Sequence, residues 1–139
     1  MKTNAHDLEA VLASIPYVAH LGVRAELAGD EMTAVLPFSE HLIGNPQLPA
    51  LHGGVIGGFM ELTAVIQLSI AQHGRGTPKP IDVSVEYLRS GRPVTTYARA
   101  EVKKVGRRIA NVQVEAWQDS RASPIAALRG HFLVGEPDT

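Results

Sequence analysis

His52-Gly53-Gly54-Val55-Ile56-Gly57-Gly58-Phe59-Met60-Glu61-Leu62 opens an apolar run that continues to about His73. The run is too long for a strand and apolar nearly all round, so it predicts a helix from Gly54 to Gln72 that the rest of the protein wraps. Gly57-Gly58 is the weak point of that helix, because each glycine costs ~1 kcal/mol relative to alanine in a helix interior. With histidine counted as neutral, Glu61 is the only charged side chain between Glu40 and Arg75. Burying an unpaired carboxylate is costly or forces it to take up a proton, so a chain that keeps one in its most apolar segment has a use for it.

Outward from this helix the pattern changes from helical to alternating. Before it, Asp7–Ala13 has apolar residues at helical spacing and predicts a short helix stopped by Pro16. Val23–Ala28 and Glu31–Leu36 flank the turn dipeptide Gly29-Asp30 and predict a hairpin. Phe38 to Leu51, with Gly44, Pro46 and Pro49, predicts a loop without regular structure that delivers the chain to His52. After the breaker Gly74-Arg75-Gly76-Thr77-Pro78, four segments read as strands: Ile81–Leu88, Val94–Lys104, Arg108–Gln118 and Ile125–Val134. Short connections between long strands imply antiparallel pairing. The expected architecture is a single α+β domain over 1–139, an antiparallel sheet of five or six strands curled round one long helix.

The 139 residues suffice for one domain with its own core, and 45% apolar with 19% charged residues is an ordinary globular composition. Cysteine is absent, which excludes disulfides, thiolate metal sites and a cysteine nucleophile. Asp7 and Glu9 stand where a signal peptide would be apolar, and no uninterrupted apolar run reaches the ~18 residues of a membrane span, so a cytoplasmic protein is expected. A net charge of -1 argues against nucleic-acid binding, but the charge is uneven. Residues 89–108 hold seven Lys/Arg and one Asp/Glu, against four and nine in residues 1–88. Lys103, Lys104, Arg107 and Arg108 bracket Gly106, where side chains and backbone N–H groups of one turn could hold phosphates, or could simply be solvated.

In sequence the chain resembles the hotdog-fold thioesterases, in particular the phenylacetate-degradation type and its relatives acting on acyl-CoA. The resemblance rests on Ile15-Pro16-Tyr17, Leu21-Gly22-Val23, Asn45, the His52-Gly53-Gly54 turn and the acid eight residues past Gly53. It continues through Asp82–Arg89, Lys104-Val105-Gly106-Arg107-Arg108 and Ala126–Val134, and so covers nearly the whole chain. The phenylacetate type carries Asp at the helical acid position, whereas Glu61 is similar to the branch of the Arthrobacter-type hydroxybenzoyl-CoA thioesterase. Val65 stands where that branch has Thr, and Pro80 where some relatives carry Ser or Thr. The resemblance implies an acyl-CoA substrate, coenzyme A entering only as part of it, no metal, and a homodimer with shared sites that pairs again into a tetramer.

Thioester hydrolysis needs donors for the developing oxyanion and a carboxylate that activates water or attacks directly. Gly53 and Gly54, at a helix start, offer backbone N–H groups without intrahelical acceptors on the positive end of the helix dipole. Equally, the two glycines could merely permit a tight turn, and Glu61 could cap a buried polar group. His52 is a candidate for substrate binding or for fixing the loop, and Asn45 for orienting water or the carbonyl or for shaping its own turn. The resemblance places the Gly106 turn beside the nucleotide of coenzyme A, with Tyr87, Arg89 and Arg92 adding to it. His6, His20, His41, His73 and His131 show no ligand spacing, so no metal is expected. Eight residues of helix put Gly53 and Glu61 ~12 Å apart along the axis, too far for one thioester carbon to meet both, so the site needs a second chain. The rival expectation from another class is a non-catalytic acyl-CoA binder; a dehydratase would want a His paired with the acid.

Overall fold

The structure, a computed structural model, describes residues 5–29, 31–71 and 77–135. Two short helices, α1 (Ala5–Ser14) and α2 (Pro16–Leu21), lead into the strands β1 (Arg24–Ala28) and β2 (Glu31–Leu36). A 3-10 turn and two very short strands, β3 (Ile43–Asn45) and β4 (Ala50–Leu51), precede the long helix α3 (Gly53–Ala71). The strands β5 (Lys79–Tyr87), β6 (Thr96–Val105), β7 (Ile109–Trp117) and β8 (Ala126–Leu133) complete the chain. The main sheet has six strands in the order β1-β2-β6-β7-β8-β5, all antiparallel, and α3 packs across it. The expected α+β architecture is therefore the one observed.

Packing, not propensity, holds α3 together. Phe59, Met60, Ile66, Leu68 and Ile70 are buried almost completely, and each such side chain contributes roughly 1.5–3 kcal/mol. That sum outweighs the penalty of two interior glycines, ~1 kcal/mol each. The two buried hydroxyls of the helix bond back to carbonyls one turn earlier, Thr63 Oγ1 to Phe59 O at 2.8 Å and Ser69 Oγ to Val65 O at 2.7 Å, so neither is left unpaired. By length and composition α3 could cross a membrane; here it is the core helix of the sheet.

Four expectations need correcting. Pro16 ends α1 but also begins α2, because a proline at the first helical position lacks only an N–H that would be unpaired anyway; Gly22, at φ +80°, then closes α2. The segment Phe38–Leu51 is not wholly irregular, since β3 and β4 pair with each other. The helix begins at Gly53, and its expected end at Gln72, the breaker up to Gly76 and Asp30 of the first turn lie outside the described residues. Finally, α3 is not wrapped on every side. Gly57, Gly58 and Glu61 are only half-buried and Gly54 is exposed, a stripe at helical spacing along the first half of the helix.

The last strand in the order, β5, is an edge. Ile81, Val83, Tyr87 and Leu88 at this edge stay 39–55% exposed. Pro80, which lacks a ladder donor, is tolerated there beside an irregularity between Pro80 and Asp82. At the far end of β7, Trp117 stacks on Tyr97 with ring centroids 6.1 Å apart, and the Arg121 guanidinium lies 5.5 Å from the indole centroid.

Candidate active site

The chain crosses from β4 into α3 at His52, and the hydrogen bonds of this corner can be counted group by group. The His52 N–H donates to Leu42 O at 2.9 Å. The Val55 and Ile56 N–H groups both donate to His52 O, at 3.0 and 3.2 Å. The Gly54 N–H donates to His52 Nδ1 at 2.9 Å, so the ring of His52 is the acceptor and carries its proton on Nε2. Among the described residues the Gly53 N–H has no acceptor. Of the two glycine donors offered by the sequence, one is used by the turn itself and one, at the positive end of α3, is free.

Gly44 explains how the corner closes. A Cβ on Gly44 would lie 2.7 Å from His52 Cα, so only glycine lets β3 run beside the turn. Asn45 uses its side-chain carbonyl locally, accepting from Gln47 N at 3.0 Å and Leu48 N at 3.4 Å. Its side-chain oxygen is engaged in its own turn, and the residue is exposed at the loop.

Tyr87, at the end of β5, donates its hydroxyl to Gly53 O at 2.7 Å. Beside it opens a cleft of about 390 Å³ lined by Gly53, Ile56, Tyr87, Leu88, Arg89 and Gly91. The outer wall of this cleft is tied down. Leu88 N and Arg89 N donate to Ile125 O at 2.8 and 3.0 Å, and Gly91 O accepts from Leu51 N at 2.9 Å. Gln118 completes the anchorage by accepting from Arg92 N at 3.1 Å and donating to Arg92 O at 2.9 Å and Thr96 Oγ1 at 3.1 Å.

The glycine pair in α3 seats two tyrosines. A Cβ on Gly57 would sit 3.2 Å from the Tyr87 hydroxyl, and one on Gly58 would sit 3.2 Å from the Tyr17 ring. On a helix of 3.6 residues per turn, Glu61 points between the bearings of Gly57 and Gly58, one turn further on. Its carboxylate therefore leaves the helix in the direction flanked by the two rings, half-buried and with no hydrogen-bond or salt-bridge partner among the described residues. The sequence had suggested a fully buried acid; the sheet and α1 cover only part of the helix, and Glu61 stands on the uncovered side. Tyr17, which stacks on His20 with centroids 5.8 Å apart, is part of the resemblance but not one of the site residues expected from the sequence, although a glycine at Gly58 is the mark of something bulky packed against it.

The basic turn lies elsewhere. Gly106 N donates to Ile109 O at 2.8 Å, closing the β6–β7 turn, with Lys103, Lys104, Arg107 and Arg108 exposed around it. Lys103 pairs with Glu101 at 3.0 Å, both solvent-facing. The register Ile109↔Leu133↔Lys79 puts this turn at the Lys79 end of β5, whereas Gly53 is held at the Tyr87 end. Eight residues of strand separate the two ends, ~26 Å. Within one chain, then, Tyr87 and Arg89 sit with Gly53 and Gly54, not with Lys103, Lys104, Gly106, Arg107 and Arg108.

Comparison with known proteins identifies the family and the fold. The sequence model described as the thioesterase superfamily matches residues 48–125, from the loop before His52 to the start of β8. A search of curated proteins gives no significant match. A crystal structure from Chromobacterium violaceum is 39% identical over 96% of this chain and 93% of its own, with a TM-score of 0.76. A thioesterase of Haemophilus influenzae, 22% identical, covers 99% of this chain and 96% of its own at a TM-score of 0.81. A phenylacetic acid degradation-related protein of Ralstonia eutropha, 15% identical, covers 91% and 98% at 0.78; these last two speak for the fold. With the turn, the core helix and three of the long strands inside the matched segment, the chain belongs to the thioesterase superfamily and has its hotdog fold.

Proposed function

We propose that the protein is an acyl-CoA thioesterase acting as a homodimer, releasing a carboxylic acid and free coenzyme A with no metal or prosthetic group. The observation that carries this reading is the hydrogen-bond count at the turn, where Gly53 alone keeps a free N–H at a helix start beside an open cleft. In the proposed reaction the thioester carbonyl oxygen accepts from that N–H. Glu61 of a second copy then either removes a proton from the attacking water or attacks the carbonyl carbon itself, in which case water hydrolyses the resulting acyl–Glu61 anhydride to free the acid and the carboxylate. Charge builds on the carbonyl oxygen, where the fixed N–H and the helix dipole stabilise it most, and the thiolate leaves.

Two features support the second copy. The exposed edge of β5 offers unpaired backbone groups along nine residues and apolar side chains at Ile81, Val83 and Tyr87, a surface that an antiparallel copy of itself would cover. The incompletely covered stripe Gly54, Gly57, Gly58 and Glu61 lies on the same flank of α3, because Gly57 faces Val85 and Tyr87 of β5. Antiparallel pairing along β5 would also carry the Gly106 turn of one copy toward the Gly53 turn of the other. There Lys103, Lys104, Arg107 and Arg108 would meet the phosphates of coenzyme A. A further pairing of dimers into a tetramer is part of the proposal.

The test is thiol release from a panel of aromatic and aliphatic acyl-CoAs in large excess over protein. Continuous release far beyond one equivalent per chain is expected for at least one member. Tight binding of acyl-CoA without turnover across the panel would replace this reading with that of a non-catalytic acyl-CoA binder.

A further inference from the structure

We propose that Tyr87 is a positioning residue which, together with His52, aims the single free N–H of Gly53; the proposal rests on the oxyanion role given to that N–H above. The peptide unit joining Gly53 to Gly54 is held at both ends, its carbonyl by the Tyr87 hydroxyl at 2.7 Å and its N–H by His52 Nδ1 at 2.9 Å. The preceding unit, which carries the Gly53 N–H, is held through its own carbonyl by the N–H groups of Val55 and Ile56. Between these two planes lie the φ and ψ of Gly53. A glycine has no Cβ to restrict those angles, so nothing intrinsic to the residue fixes the direction of its N–H. Clamping both flanking planes does. The His52 ring here mimics the side-chain carbonyl of an Asx turn, which also accepts an N–H two residues on.

The two clamps differ in origin. His52 is adjacent in sequence and forms with the turn, whereas Tyr87 reaches in from 34 residues away, on the exposed edge strand. Tyr87 therefore makes the aim of the donor depend on the position of β5 relative to α3. Gly53 and Gly57 leave room for this: a Cβ at Gly53 would touch the Tyr87 ring at 3.5 Å and one at Gly57 its hydroxyl at 3.2 Å. The ring lies along the glycine face of the helix with its hydroxyl at the carbonyl, and removing that oxygen alone leaves the packing in place.

The experiment is Tyr87→Phe, read in two ways. Amide hydrogen exchange measured by NMR follows Gly54 directly; loss of one hydrogen bond from its peptide unit is expected to speed its exchange about tenfold. The same readout tests His52, since His52→Asn, with an acceptor in the equivalent place, should keep the slow exchange that His52→Ala loses. In kinetics, Tyr87→Phe should lower kcat about tenfold, equally for acyl-CoA and for a short thioester lacking the nucleotide, with KM unchanged. Unaltered Gly54 exchange in Tyr87→Phe would overturn the proposal. So would a rise in KM confined to acyl-CoA, which would make Tyr87 a contact of the coenzyme arm. If the wild-type protein hydrolyses no thioester while Gly54 exchange still responds to both residues, the clamp stands and the hydrolase reading falls.

Discussion

Gly53 and Glu61 stand on one helix, eight residues apart, which separates them by ~12 Å along its axis and by about 80° in bearing. No thioester carbon can lie ~3 Å from the N–H of one and the carboxylate of the other in the same chain. Mixing Glu61→Ala with Gly53→Val under subunit exchange should therefore restore activity to about a quarter of wild type, because a random mixture is half heterodimers and each has one intact site. A Cβ on Gly53 meets only ordinary contact at 3.5 Å, and circular dichroism of the isolated Gly53→Val variant checks that it folds before mixing. No recovery despite demonstrated exchange would place the whole site within one chain.

Removing the acid tests its role more simply. Glu61→Gln should lower kcat by roughly a hundredfold or more with the fold unchanged, as expected when a base or nucleophile is lost. Because Glu61 has no partner among the described residues, Glu61→Ala should leave Tm level or raise it. A large fall in Tm, seen by calorimetry, would give the carboxylate a structural task instead.

Charge at the Gly106 turn should matter only for substrates that carry phosphates. Arg107→Ala with Arg108→Ala is expected to raise KM for acyl-CoA severalfold and leave a short thioester without the nucleotide unaffected. The KM of the wild type for acyl-CoA should climb with ionic strength, since phosphate contacts at an exposed turn are screened by salt. An equal effect of the substitutions on both substrates would count against phosphate binding there.

The β5 edge offers a test of assembly. Val83, 39% exposed on this strand, replaced by Lys places a charge on the proposed seam without touching the turn. Sedimentation should then show a shift toward monomer, and thiol release should fall in proportion to the dimer lost. Full activity from a demonstrated monomer would break the link between assembly and catalysis.

Much of this arrangement could be read from the residues in order. Alternation placed the six long strands to within a few residues, and the apolar run placed α3. The hairpin-like connections gave their antiparallel sense. What escaped has specific causes. Strands of two or three residues, as in β3 and β4, carry no period to detect. Pro16 was legible as a stop, but the same ring geometry also suits the first turn of α2, and the sequence does not say which use prevails. Glu61 looked buried because hydrophobicity records how apolar a segment is, not which of its sides the sheet covers. Gly57 and Gly58 looked like a defect because the rings that fill them come from Tyr87 and Tyr17, on other elements. The hydrogen bond from Tyr87 to Gly53 spans 34 residues and depends on tertiary placement alone.

Trp117 is the chain's only tryptophan. Its indole stacks on the Tyr97 ring and has the Arg121 guanidinium over it, and the next residue is Gln118, whose amide ties Arg92 and so the wall of the cleft. The indole is thus an optical label supplied by the sequence itself, one residue from the latch. Its emission is expected to follow the docking of the wall at this corner of the sheet, so that a fluorimeter would watch the cleft without any dye attached.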